Sequence, residues 1–320
     1  MKLFKFAPAA ALFLSLTLLL SGCSGGGEGS GSAASSGTET SIAITDWTGH
    51  RETFTDCPER VVAVSGSLGE VWVKAGGALI GTTQDAVTER NLDLPEDTAI
   101  VGTIKEPDLE TILSLEPDFV ILSADIASHP DLANTLREMS IQCGLFHEEY
   151  LEDYLALLEQ FARLTGRTDL YEANGLQVQS EIETILANAP GMEGETVLLL
   201  RAYSSGFKAK NADNLAGTML QDFGLENVLD KYDTLLEDIS MEEILTVDPD
   251  YIFVTVMGSD VEAAVDYLES QLCTDPAWAS LTAVKEDNYH ILPKDLFHYK
   301  PNARWAEAYA YLADIFAAEE

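Results

Sequence analysis

The stretch Thr168–Ala189, TDLYEANGLQVQSEIETILANA, decides how the rest of the chain is organised. It reads as one long helix. Thr168 or Asp169 can cap its start, and Glu172 follows Asp169 at capping-box spacing. Tyr171, Val178, Ile182, Ile185 and Ala189 recur at helical spacing and define one apolar face. Pro190-Gly191 ends the run. About 22 residues at ~1.5 Å each span ~33 Å, the width of a small domain. Gly175 is its weak point, because glycine inside a helix costs about 1 kcal/mol relative to alanine. It marks either close packing or a slight bend.

On each side of this spine the sequence follows the same plan. Leu109–Leu122, LETILSLEPDFVIL, aligns without a gap to Met241–Val254, MEEILTVDPDYIFV. Each reads as a helix, an acid-Pro-Asp turn and a buried strand led by an aromatic residue. A shorter match pairs Gly69-Glu70-Val71-Trp72 with Gly217-Thr218-Met219-Leu220. Short apolar strands alternate with helices in both halves, as in a parallel sheet covered on both faces. The expected class is α/β: two Rossmann-like lobes, with central, mostly parallel sheets, joined by a long rigid helix. The expected boundaries are a leader over residues 1–22, a tether over 23–40, an N-terminal lobe over 41–150, a helical connection over 151–190 and a C-terminal lobe over 191–320. Ser41–Thr55 reads as an edge hairpin turning at Trp47–His50.

The first residues carry an address. Lys2 and Lys5 precede an apolar run from Ala7 to Leu20, then Leu20-Ser21-Gly22-Cys23. The run is short for a membrane span and reads as a secretory signal. Residues 24–40, almost all Gly, Ser, Ala and Thr, cannot bury a core and read as a flexible linker. Without Lys2 and Lys5, 16 Lys and Arg stand against 54 Asp and Glu, a formal charge of −38. Such a surface repels nucleic acid and anionic lipid. Cys57, Cys143 and Cys273 match no zinc spacing; Cys57 and Cys143 could pair, or all three could be buried thiols.

The loops expected at the carboxyl ends of the strands are where an open α/β sheet holds ligands. In the first lobe these are Ser65-Gly66-Ser67, Thr103-Ile104-Lys105 and Ser123-Ala124-Asp125. In the second they are Arg201–Lys210, Thr255–Met257 and Lys294–Arg304. Six cations fall in two of them: Arg201, Lys208 and Lys210, then Lys294, Lys300 and Arg304. Tyr203, Phe207, Phe297, Tyr299 and Trp305 are interleaved. Cations hold carboxylates, phosphates or catecholates, and aromatic rings cover flat or apolar ligand surface. The bland alternative is solvated loop charges and aromatics packed on the last helix. His298 could ligate iron in a bound haem or serve structurally. His50, His129, His147 and His290 are scattered without metal-site spacing, although His147-Glu148-Glu149 keeps a bare-metal site open. No nucleophile elbow, zinc-helix motif or phosphate loop is present, so no catalytic residue and no cofactor are expected.

Several of these segments, in this order, carry a family resemblance. Arg60–Ser65, Gly69-Glu70-Val71, Val101-Gly102, Leu115–Val120, Asp222–Val228, Asp248–Ile252 and Pro276-Ala277-Trp278 resemble the substrate-binding proteins of ABC importers for ferric siderophores, haem and vitamin B12. The resemblance covers nearly all of residues 55–318. It implies ligand held between the lobes with slight closure. It also implies delivery to a permease driven by an ATPase, and one surface glutamate on each lobe that docks to the permease. Glu70 matches the first docking position. Thr218 stands at the second and departs from the pattern, leaving Asp222 or Glu226 as substitutes. Leu20–Cys23 resembles a bacterial lipobox, implying a lipid on Cys23 and an extracytoplasmic, membrane-anchored protein. The ligand set expected is Ser65, Ser67, Lys105, Arg201, Tyr203, Lys208, His298, Tyr299, Lys300 and Arg304, holding an iron chelate, haem or a corrinoid in a monomeric receptor. The rival readings are a receptor for a bare metal ion and a cell-surface enzyme or adhesin on the same scaffold.

Overall fold

In the computed structural model, residues 41–231 and 239–318 are described, so the leader, the Gly/Ser tether and Cys23 lie outside them. The duplicated segment explains the architecture. In the first copy a helix over Leu109–Ser114, capped by Asp108, leads through Glu116-Pro117-Asp118 into strand β6, Phe119–Ser123. In the second, Ser240 caps a helix over Met241–Val247 that leads through Asp248-Pro249-Asp250 into β11, Tyr251–Val256. Glu116 and Asp248 both turn the chain through positive φ, at 46° and 37°. Asp118 then accepts from the backbone N–H groups of Glu59 and Arg60 at 2.8 and 2.9 Å. Asp250 accepts from the N–H and hydroxyl of Thr196 at 2.8 and 2.6 Å. Each aspartate pins the start of the strand beside its own: β3, Val61–Ala63, and β8, Thr196–Tyr203. The register follows, with Val61 opposite Phe119 and Val197 opposite Tyr251.

The first sheet runs β5 (Ala99–Ile100), β4 (Gly81–Thr82), β3, β6, β7 (Gln142–Phe146), all parallel. The second runs β10 (Glu226–Asn227), β8, β11, β12 (Tyr289–Ile291), also parallel. The segment expected to be a loop after Arg201 is instead a hairpin: β8 extends to Tyr203 and pairs antiparallel with β9, Gly206–Lys210. The expected edge hairpin forms from β1, Ile42–Thr45, and β2, Arg51–Phe54. It is held to the first sheet by Asp46, which accepts from Leu145 N–H at 3.0 Å and from Arg137 at 3.1 Å.

The spine departs from a plain helix. Thr168–Tyr171 is α-helical, Glu172–Leu176 widens into a π turn, and Gln177–Asn188 resumes the α-helix. Arg167 holds the N-cap position with no side-chain cap, and Asp169 pairs with Arg167 at 2.7 Å, so the expected caps do not form. The π turn is tied on two sides. The Asn174 carbonyl accepts from the buried Tyr154 hydroxyl at 2.7 Å, and the Asn174 amide donates to Lys74 O at 2.9 Å. Gly175 is buried there. A Cβ would lie 3.1 and 3.2 Å from the Leu158 and Leu155 methyls, so bending and close packing are the same feature. Val178 and Ile182 are buried, with Tyr171, Ile185 and Ala189 packed partly beside them, as the apolar face requires.

The described residues form one compact unit. One apolar cluster runs through both lobes and the spine, from Trp72, Phe119 and Phe161 across Val178 and Ile182 to Phe223, Tyr309 and Phe316. Separate clusters fill the outer faces of the two sheets. Phe297 and Trp305 belong to the shared core, so these two aromatics pack against the last helix. Cys57, Cys143 and Cys273 are free thiols; Cys57 is exposed and Cys143 buried, so the proposed pairing does not occur.

Candidate functional site between the lobes

Both sheets are wound outward from a central strand, β3 in the first and β8 in the second. The switch points therefore lie at the carboxyl ends of β3 and β6, and of β8 and β11. In the first lobe these ends lead into Ser65 and Ser123. Ser65 is buried and opens the helix over Gly66–Lys74, the Gly66 N–H of which donates to Asp85 at 2.8 Å. Ser67 Oγ donates to Glu148 at 2.6 Å. Glu148 follows β7, is 1 % exposed, and its second oxygen, Oε1, is buried without a partner. Burial raises its carboxyl above the usual value, while Lys300, Arg90 and the Ser67 hydrogen bond pull the other way.

The second lobe brings up Arg201, His298, Tyr299 and Lys300. Lys300 Nζ lies 3.3 Å from Glu149 and 3.6 Å from Asp125, both across the cleft. Arg201 is half-buried; its charge faces Glu149 and Asp213, and its Nε is buried without a partner. Lys208 sits directly opposite Arg201 in the β8–β9 ladder, which places it on the same face of the sheet. His298 is pushed down to about 4 by burial and by Arg201, Lys294 and Lys300, so its imidazole is neutral at neutral pH. Lys294 lies over the Tyr299 ring, 4.6 Å from its centroid, and also donates to Gly258 O. Burial and the neighbouring Glu89 push the Tyr299 hydroxyl up to about 12.

A second set of contacts joins the lobes beside this cluster. Arg90 pairs with Glu70 at 2.6 Å and donates to Lys300 O at 3.0 Å. The Asn302 amide donates to Glu70 at 2.8 Å and to Ser67 O at 3.2 Å. The Glu70 side chain is 13 % exposed. The carboxylate expected to dock a permease is thus engaged inside the molecule, by Arg90 and Asn302. Thr218, at the matching position, bonds back to Ala212 O and Asn214 O, and Asp222 accepts from Tyr309 at 2.6 Å.

Three residues of the expected ligand set lie outside this cluster. Arg304 is exposed at the start of the last helix and is held by Glu307 at 2.7 Å and Asp295 at 2.9 Å, away from the cluster. Tyr203 lies over Gly206 and lines a cavity of about 440 Å³ with Phe207, Met241 and Tyr267, on the side of the helix over Val261–Leu272. The Lys105 side chain is exposed, and that loop is tied down through the Lys105 carbonyl, which accepts from Ser128 at 3.0 Å. The cleft groups outside the expected ligand set are Arg90 and Asn302, together with Asp125, read only as part of a strand-end loop, and Glu148 and Glu149, read only as a bare-metal alternative. Asp125 and Glu148 stand just past β6 and β7, where the same strand-end rule points. His147 bonds Asp125 at 2.6 Å and packs against Trp47 with the rings tilted, 4.4 Å between centroids. His129, fully buried, accepts from Ser123 N–H and bonds Ile104 O, fixing the loops behind the site.

Among the described residues no three His, Cys, Asp or Glu side chains converge to hold a metal ion. The family model for the periplasmic binding protein matches residues 61–296. The chain belongs to that family. Among its relatives is the Fe(3+)-citrate-binding protein YfmC of Bacillus subtilis, 24 % identical over 295 residues, covering 91 % of this chain and 90 % of that one. Among solved structures, the iron uptake ABC transporter substrate-binding protein PiuA of Streptococcus pneumoniae aligns with a TM-score of 0.68 at 20 % identity, covering 85 % of this chain and 96 % of that one. SirA of Staphylococcus aureus, solved with staphyloferrin B, aligns with a TM-score of 0.65 at 20 % identity, covering 87 % and 98 %. In this chain the carboxyl ends of the two sheets bring up the Arg201–Lys300 cluster.

Proposed function

We propose that this protein is the extracytoplasmic substrate-binding component of an ABC importer, and that it holds an iron chelate between its lobes for delivery to the permease and its ATPase. The observation that carries the reading is the Arg201–His298–Lys300 cluster, set against Ser67 and Glu148 at the strand ends of a periplasmic binding protein. The relatives named above bind ferric citrate and staphyloferrin B, which are ligands rich in oxygen donors. Arg201 and Lys300 supply charged donors to such oxygens. The neutral His298 adds a ring nitrogen without adding charge. The work is capture and release, with no bond made or broken.

The test is a titration of ferric chelates followed by tryptophan fluorescence, with Trp47 exposed beside the cleft as the reporter. Joint replacement Arg201→Ala and Lys300→Ala is expected to weaken the best chelate by about 2 kcal/mol, roughly thirtyfold. Arg304→Ala is expected to leave affinity unchanged. Equal loss from both changes would remove the cleft from the reading.

The lipid anchor on Cys23 belongs to the same proposal. Among the described residues no helix is long and apolar enough to cross a membrane. Metabolic labelling with a fatty-acid analogue is expected to mark the wild-type chain and not Cys23→Ser; equal labelling would exclude Cys23 as the attachment site.

A further inference from the structure

The cleft does not form a basic rim. Of its cations, Arg90 is committed to Glu70 at 2.6 Å. Lys294 is committed to Gly258 O and the Tyr299 ring. Lys300 is shared by Glu149 at 3.3 Å and Asp125 at 3.6 Å. Arg201 faces Glu149 and Asp213. Along this contact the first lobe presents Asp125 and Glu149 as an acidic wall and the second presents Arg201 and Lys300 as a basic one, while Arg90 of the first lobe is neutralised by Glu70 and Asp213 of the second lies on the Arg201 side. Asp125 and Glu149 keep about a third of their side-chain surface exposed, at 35 % and 32 %, so solvent or a ligand can reach them. Among the buried polar atoms without a protein partner are Glu148 Oε1, in a side chain 99 % buried on the first lobe, and Arg201 Nε on the second. One is an acceptor as an ionised carboxylate and the other is a donor, so the vacant hydrogen-bonding capacity is also mixed.

The long-range field has the same sign as the acidic wall. With 54 Asp and Glu against 18 Lys and Arg, the whole chain repels a strongly anionic ligand on approach. A trianionic chelate would have to take Lys300 from two carboxylates and leave those carboxylates facing it. A chelate with oxygen donors on one side and an ammonium or other donor group on the other meets both walls without leaving either charge unpaired.

We infer that the ligand is a ferric chelate of neutral or net positive charge, which turns its oxygens to Arg201 and Lys300 and a cationic or hydrogen-bond-donating group to Asp125 and Glu149. This rests on the chelate-receptor reading above and narrows it to one charge class. It makes Asp125 and Glu149 residues that set specificity, selecting against tris-catecholate and polycarboxylate chelates.

Three iron(III) complexes separate the outcomes: a linear trihydroxamate bearing a free ammonium group, a citrate complex, and a trianionic tris-catecholate. Each is titrated at low and at high salt, with fluorescence as the readout and equilibrium dialysis of radioactive iron as a check. The trihydroxamate is expected to bind on the order of tenfold more tightly than the tris-catecholate at low salt, with the gap narrowing as salt screens the acidic wall. Joint replacement Asp125→Asn and Glu149→Gln keeps side-chain size. It is expected to weaken the trihydroxamate on the order of tenfold and to strengthen the two anionic chelates. If the citrate or tris-catecholate complex binds most tightly, or if the double replacement leaves the order unchanged, the charge assignment is overturned while the receptor reading stands. If none of the three binds, both are overturned.

Discussion

Glu148 shows how a single buried carboxylate ties stability to the site. Its Oε2 accepts from Ser67, its Oε1 has no partner, and burial raises its protonation midpoint above the ordinary 4.5. The folded state therefore keeps this proton to higher pH than the unfolded state does. The contribution to stability is complete below pH 4.5 and is lost as pH rises through the raised midpoint. Glu148→Gln preserves the acceptor for Ser67 and removes the charge. Thermal melts at neutral pH are expected to show the variant more stable, by on the order of 1 kcal/mol. The difference should close as pH falls toward 4. A difference independent of pH would mean that Glu148 is not titrating in the folded protein. His298, held neutral by burial and by three cations, has the opposite sense: its folded midpoint is lowered, so folding is opposed increasingly as pH falls from 6.5 to about 4. Proton binding at these two positions thus works in opposite directions across the acid range, and the Glu148 variant isolates one of them.

At the level of elements, what could be read from the sequence was what repeats or alternates. The helix–acid–Pro–Asp–strand unit is visible twice because the chain needs the aspartate twice, at Asp118 and Asp250, to pin a neighbouring strand. The periodic helices over Leu151–Thr165, Leu215–Asp222 and Val261–Leu272 follow from apolar faces that cover the sheets. Two-residue strands such as β5 and β10 are too short to show a period. The β8–β9 hairpin did leave a signal, since Phe207-Lys208-Ala209-Lys210 alternates and Ser204-Ser205-Gly206 can turn, but the cations there read more naturally as a binding loop. The π turn in the spine has no sequence signature beyond Gly175; it depends on Tyr154, 20 residues earlier, reaching the Asn174 carbonyl. Side-chain direction was the least legible property of the site. Arg304 and Lys300 are four residues apart in one segment, yet Arg304 starts a helix and turns to Glu307, while Lys300 precedes it and turns across the cleft. Glu307, three residues on from Arg304, was a readable warning of that pairing. Asp125 falls in a strand-end loop and Glu149 in the His147-Glu148-Glu149 run, but in so acidic a chain neither carboxylate stands out.

At the scale of the whole molecule, two devices limit relative motion of the lobes. One is the shared core through the spine, with Val178 and Ile182 at its centre. The other is the polar contact from Glu70, Arg90 and Ser67 to the segment Lys300–Asn302. The first would have to be repacked for a wide hinge, whereas the second involves a few hydrogen bonds and can open at modest cost. A rocking motion about the spine, with this contact as its stop, is the movement the structure favours. Asn302 is the point at which to test it. Its φ is 52°, a left-handed conformation that asparagine and glycine accept and most residues resist. Asn302→Gly keeps the backbone and removes both donated hydrogen bonds. In hydrogen–deuterium exchange the amides at the start of the Gly66–Lys74 helix and around Lys300 are expected to exchange faster, by about tenfold if the contact contributes roughly 1.4 kcal/mol. The amides around Val178 and Ile182 should keep their protection, because the core is untouched. Faster exchange along the spine as well would mean that the lobes are held by the polar contact rather than by the core, and the rocking description would fail.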